Sequence, residues 1–183
     1  MRYPDQANAA MFNLLGSHDT ERFLTMCEGE RRRMQLAVLF QLTYWGIPML
    51  YYGDEVGMTG GPDPDCRRPM VWDRAEQDGD LLAWHRKLLA LRRELAPLRR
   101  GDVRTWLADG EKGVYGFLRR LERETVGVVL NNSPHRRRMV LETAEWKDGT
   151  EVVERLSGTR FTVKKGRVRL TLAPMSGAVL TSL

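Results

Sequence analysis

The sequence predicts an α/β unit followed by an all-β unit, and three observations carry that prediction. Across residues 1–100, short apolar runs alternate with longer helical stretches in the order strand, helix, strand, helix. After Gly101 the chain becomes a series of short segments rich in Val, Leu, Thr and aromatic residues, set apart by turn signals. Polar residues gather directly behind each of the first two apolar runs.

Residues 10–15 are apolar and close on Gly16-Ser17-His18-Asp19-Thr20, which reads as a short buried strand. Residues 30–45 read as a helix. Beyond its basic first turn, Met34, Ala37, Val38, Leu39, Phe40, Leu42 and Tyr44 make it apolar on most sides, as in a helix covered by other structure. Gly46 stands at the position of a C-terminal cap and Pro48 follows, so the helix stops there. Residues 47–52 read as a second buried strand, ending in Gly53-Asp54-Glu55. The Gly-, Pro- and Asp-rich stretch 56–73 is a long loop, and loops of that length in a compact domain are usually functional. In residues 80–95, Leu81, Trp84, Leu88, Leu91 and Leu95 step by three and four onto one helix face, and Pro97 ends the pattern. This alternation is the unit of a parallel sheet with right-handed crossovers. Polar residues just behind the strands occupy the position where (β/α)8 barrels keep their active sites.

The second half offers eight short strands, at residues 103–107, 113–121, 125–131, 137–141, 151–156, 160–164, 167–172 and 178–183. Turns at Asp109-Gly110, residues 131–134, Asp148-Gly149, Ser157-Gly158 and Lys165-Gly166 separate them. Even spacing of this kind predicts an antiparallel β-sandwich. The expected domains are residues 1–100 and 101–183, with no internal repeat and no low-complexity segment.

Composition excludes several classes of function. The net charge is +5 and arginine-rich, with runs at Arg31, Arg32, Arg33 and at Arg136, Arg137, Arg138. A phosphate-binding patch is one reading. Interspersed Glu and the lack of interleaved aromatics favour a solvated surface, with no nucleic-acid partner. No stretch approaches the ~20 apolar residues of a membrane span. The start, MRYPDQANAAMF, has no basic flank before an apolar run, so no signal peptide is expected. His18, His85, His135, Cys27 and Cys66 do not stand at metal-ligand spacing. The two cysteines lie in different segments and read as unpaired thiols of a cytoplasmic protein.

Three stretches resemble the α-amylase family of glycoside hydrolases, family 13. Asn13-Leu14-Leu15-Gly16-Ser17-His18-Asp19-Thr20 is similar to the family's fourth signature, an apolar strand ending in His-Asp. Gly46-Ile47-Pro48-Met49-Leu50-Tyr51-Tyr52-Gly53-Asp54-Glu55 matches its Gly-x-Pro-x-x-x-Tyr-Gly-x-Glu signature in full. Asp63-Pro64-Asp65-Cys66-Arg67-Arg68-Pro69-Met70-Val71-Trp72 resembles the loop of the cyclomaltodextrinase, neopullulanase and maltogenic amylase subgroup. The three stand in family order at family spacing.

The resemblance implies that residues 1–100 are the last two strand-helix units of a (β/α)8 TIM barrel and that the tail is the family's C-terminal β-sandwich. It implies a retaining hydrolase of α-glucosidic bonds in maltooligosaccharides, cyclodextrins or pullulan. Asp19 would stabilise the transition state and His18 would bind a sugar hydroxyl; the alternative for Asp19 is a helix cap or a buried turn. Asp63 and Arg67 would bind the sugar further toward the non-reducing end, or brace the loop by a salt bridge, or both. Glu55 and Tyr52 read as structural, Trp84 as core, and Trp45 and Trp72 as open candidates for stacking. The family's nucleophilic Asp and general-acid Glu sit on earlier strands, and the Arg-x-Asp signature of the nucleophile has no convincing counterpart. The expectation is therefore a C-terminal fragment that needs the upstream barrel segment as partner and is inactive alone. Its two parallel strands would have open edges and its apolar helix would be uncovered. No cofactor is expected in this chain, while the resemblance allows calcium in the complete enzyme. Within the family the runner-up is an oligosaccharide α-glucosidase; outside it, a non-catalytic glucan-binding fragment.

Overall fold

A computed structural model describes residues 3–183. It begins with helix α1 (Asp5–Ala9) and strand β1 (Phe12–Leu14), followed by helices α2 (Phe23–Met26) and α3 (Arg31–Thr43), strand β2 (Ile47–Met49) and helix α4 (Gly79–Glu94). β1 and β2 pair in parallel, Phe12 opposite Ile47 and Leu14 opposite Met49, with α3 on the connection between them. Gln41 of α3 fixes this pairing: its Nε2 donates to the carbonyls of Asn13 and Met49, both at 2.9 Å, one from each strand segment. These elements form one compact unit, ending at Glu94.

The burial of this unit differs from expectation in two ways. The strands, expected buried, are exposed on the face that carries Phe12 (64%), Leu14 (46%) and Ile47 (45%). A sheet of two strands has an unpaired edge on each side, and among the described residues nothing covers this face. Helix α3, which its apolar sides read as covered and the fragment reading left uncovered, is covered: Met34, Val38, Leu39 and Leu42 are almost wholly buried, and α2 and α4 pack on it. α4 contributes Leu81, His85, Leu88 and Leu91. Trp84 belongs with them, its indole Nε1 donating to the Gln35 carbonyl at 2.9 Å. Arg92 closes the end of α3 by donating to the carbonyl of Leu42, an acceptor that a helix terminus leaves unsatisfied, and also to the Gly46 carbonyl beyond the helix. α3 stops at Thr43 with Tyr44 as its cap, so Gly46 lies beyond the cap rather than on it.

The second compact unit runs from Leu95 to Leu183. It opens with helix α5 (Ala96–Arg100), which holds Pro97 in its first turn, a position that suits proline's fixed φ. Pro97 thus starts a helix; α4 has already ended at Glu94. Strands β3 (Asp102–Asp109), β4 (Val114–Leu121), β5 (Glu124–Asn131), β6 (Arg137–Glu142), β7 (Glu151–Glu154), β8 (Arg160–Thr162), β9 (Arg167–Leu172) and β10 (Ser176–Ser182) follow. Six form an antiparallel sheet in the order β3-β4-β5-β10-β7-β8, and β6 pairs with β9 in a separate ribbon. Val129, Leu141, Trp146, Val152, Val168 and Leu180, drawn from both layers and the β6–β7 connection, share one buried cluster. α5 belongs to this unit, ahead of the boundary expected at 100/101, because Arg119 of β4 donates to the carbonyls of Leu98, Gly101 and Asp102 at 3.0, 2.9 and 3.0 Å. No helix among the described residues is long and apolar enough to cross a membrane.

Candidate functional site

The site is built where the chain leaves β1. A turn at Ser17–Thr20 follows the strand and braces itself: the Asp19 N–H donates to Ser17 Oγ and the Ser17 N–H to Thr20 Oγ1, both at 3.1 Å. Short hydroxyl side chains bond nearby backbone in this way and so favour tight turns. The turn presents His18 and Asp19 to solvent, His18 Nε2 lying 3.3 Å from Asp19 Oδ1. Asp19 is neither a helix cap nor buried.

The loop after β2 brings its own residues to the same place. Residues Asp65–Arg67 form a single 3-10 turn. Arg67 Nε lies 2.9 Å from Asp63 Oδ1 and donates to the His18 carbonyl at 2.9 Å, while its Nη2 stands 4.0 Å from Asp19 Oδ1. Cys66 Sγ donates to the same His18 carbonyl at 3.4 Å. Asp19, His18, Asp63 and Arg67 therefore form one exposed cluster, and Arg67 also ties the loop to the turn. Asp65 accepts from Arg68 and from the Gly61 N–H, and these bonds hold its carboxyl below the usual carboxylate range. Tyr52 donates its hydroxyl to the Arg68 carbonyl at 2.7 Å, in keeping with its reading as a structural residue.

Beneath the cluster lies a buried pair, Arg22 and Asp54, that is not among the expected site residues. Arg22 is fully buried, and its Nη1 donates to Asp54 Oδ1 at 3.1 Å and to the Tyr52 carbonyl. Its guanidinium sits 4.2 and 4.6 Å from the ring centroids of Tyr51 and Tyr52, a cation–π arrangement on two rings. Burial pushes the Asp54 carboxyl up to about 6, against the opposing pull of the Arg22 hydrogen bond and charge. Two glycines let the segments meet. A Cβ on Gly60 would stand 2.7 Å from the Asp65 carbonyl oxygen and 3.2 Å from Arg22 Cγ, and one on Gly16 would stand 3.2 Å from Asp54 Oδ2. The available signal was weak: an arginine directly before the apolar Phe23-Leu24, and an acidic residue behind an apolar strand.

Other candidates fall elsewhere. Trp72 is 81% exposed, and Trp45 is half-buried with its carbonyl accepting from Asn13. The basic runs include local braces: Arg31 pairs with Asp78 at 2.6 Å, and Arg137 donates to the Lys112 carbonyl at 3.1 Å. Cys27 and Cys66 are buried and unbridged. Among the described residues, no three His, Cys, Asp or Glu side chains cluster so as to hold a metal ion.

Comparison with known proteins gives two family matches. Residues 1–82 match the α-amylase catalytic domain, and residues 104–179 match the maltogenic amylase C-terminal domain. Neopullulanase 2 of Thermoactinomyces vulgaris is 47% identical over 180 residues, 98% of this chain and 31% of that protein. A cyclomaltodextrinase of Geobacillus thermopakistaniensis is 43% identical over 172 residues, 94% of this chain and 29% of that one. A solved cyclomaltodextrinase structure superposes with a TM-score of 0.91 at 37% identity, covering 99% of this chain and 31% of that chain. The chain thus spans about a third of the length of the curated relatives it matches.

Proposed function

The chain belongs to the α-amylase family of glycoside hydrolases, and from that premise we propose that it supplies the transition-state-stabilising part of a retaining α-glucan hydrolase acting on maltooligosaccharides, cyclodextrins or pullulan. The observation that carries this reading is the exposed pairing of Asp19 and His18 on a braced turn at the end of a parallel strand. Strand ends of this kind hold the catalytic groups of (β/α)8 barrels.

The chemistry assigns a role to each group. Retaining glycosidases pass through an oxocarbenium-like state, and hydrogen bonds to ring hydroxyls that tighten there supply several kcal/mol. Asp19 accepts from the 2- and 3-hydroxyls of the sugar at the cleavage point, and its negative charge favours the developing cation. His18 donates to the same sugar. Asp63 and Arg67 offer an acceptor and a planar donor fork, which suit the mixed hydroxyls of the neighbouring glucose. The bond from Arg67 to the His18 carbonyl favours a second, compatible role as a brace.

The nucleophile and general acid come from an upstream barrel segment, and the chain alone does not turn over glucans. The exposed Phe12, Leu14 and Ile47 face supports this, since it is the face that further barrel structure would cover. Unbridged cysteines support a cytoplasmic setting. The test is a chimera in which this chain replaces the matching segment of neopullulanase 2. Reducing-sugar release from cyclodextrin, maltotriose and pullulan should appear in the chimera and be lost on Asp19→Asn. A chimera that folds yet is inactive, or an active Asp19→Asn variant, overturns the assignment.

A further inference from the structure

Arg22 joins three segments from within, adding to the bonds that Arg67, Cys66 and Tyr52 make among them. Its own N–H donates to the Gly60 carbonyl at 2.9 Å, which attaches the end of the Ser17–Thr20 turn to the start of the Asp63–Arg67 loop. Its guanidinium holds the Tyr52 carbonyl and the Asp54 carboxylate, both just beyond β2. Asp54 in turn packs under Gly16, immediately before the turn that carries His18 and Asp19. A buried charge is expensive to hold, and a buried ion pair is weak evidence for stability as such. An apolar side chain could fill the same volume, but it could not donate to a carbonyl and a carboxylate at once, as Arg22 Nη1 does while the flat guanidinium lies against the Tyr51 and Tyr52 rings.

We infer that the buried Arg22–Asp54 pair is a positioning device, which fixes the Ser17–Asp19 turn against the Asp63–Arg67 loop so that Asp19 meets the transition state in register. The inference rests on the function proposed for Asp19. Neither Arg22 nor Asp54 touches the sugar; both act through Asp19. Misplacing a reacting group by about 1 Å can cost roughly 100-fold in rate. The pair should therefore govern kcat while leaving ground-state binding largely alone.

The experiment is a double-mutant cycle in the neopullulanase 2 chimera, with maltotriose as substrate and melting temperature read alongside. Arg22→Lys keeps the charge and removes the planar guanidinium that lies against the Tyr51 and Tyr52 rings and aims Nη1 at both acceptors. It should lower kcat roughly 10- to 100-fold with KM changed by less than about threefold. In the Asp19→Asn background the same change should lower kcat by no more than about twofold, because the group it positions is already disabled. Asp54→Glu, which retains the pair but shifts its contact point by one methylene, is the second arm and should behave alike if Arg22→Lys does not fold. A purely structural pair gives equal losses in both backgrounds, or a lower melting temperature with kcat kept, and either result overturns the inference. If Asp19→Asn itself leaves kcat high, it is the reading of Asp19 that fails; if Asp19→Asn collapses kcat while Arg22→Lys and Asp54→Glu do not, the positioning role alone fails.

Discussion

Exchanging Asp19 for Asn keeps the shape of the side chain and removes its charge, so it isolates the electrostatic part of the proposed role. In the chimera kcat should fall by about 100- to 1000-fold, the range for losing one preorganised transition-state interaction, with KM little altered. A variant that keeps half of its kcat contradicts the role. Arg67→Ala should act mainly through KM for longer oligosaccharides, as loss of uniform binding does. Equal harm to short and long substrates, with a lower melting temperature, leaves Arg67 as a brace only, the role its bonds to Asp63 and the His18 carbonyl already describe. His18, Asp19, Asp63 and Arg67 could be singled out because they stand in stretches that resemble the family's signatures. Arg22 and Asp54 were not, because a charged residue reads as surface until its partner, 32 positions away, is known to be its neighbour.

At the scale of elements, alternation was the most legible signal. β9 buries Val168, Leu170 and Leu172 and exposes the residues between them, so its sequence fixes both its conformation and its inward face. The eight expected strands of the second half all appear, with ends shifted by a few residues at most. β1 and β2 are shorter than their apolar runs because ladder pairing, which sequence does not display, lasts only from Phe12–Ile47 to Leu14–Met49. The helices α1, α2 and α5 were missed, being single turns too short to show periodicity. α5 depends on a long-range contact: Arg119 satisfies three carbonyls at its C-terminal end and just beyond. Arg119→Met should therefore destabilise residues 95–183 by at least about 2 kcal/mol, since buried carbonyls left unpaired cost about 1–3 kcal/mol each. Urea unfolding followed by circular dichroism measures it, and an unchanged midpoint would show that α5 does not need the arginine.

For the whole molecule, the two units differ in what they leave uncovered. The second unit carries its own buried cluster between two β layers, so residues 95–183 expressed alone should unfold in one cooperative transition by circular dichroism; a disordered product would contradict that independence. The first unit buries α3 well but exposes the apolar face of β1 and β2. The same strands carry the turn with His18 and Asp19 and the segment leading to Asp54, so the unfinished face and the proposed site belong to one construction. The claim that this chain stabilises a transition state which groups outside it must generate is tested most directly by assaying the purified chain and the neopullulanase 2 chimera side by side for reducing-sugar release from maltotriose, cyclodextrin and pullulan. The account predicts no turnover by the chain, turnover by the chimera, and loss of that turnover on Asp19→Asn. Turnover by the chain alone that survives stringent purification and vanishes on Glu55→Gln would contradict it, because a catalytic carboxyl would then lie within these residues.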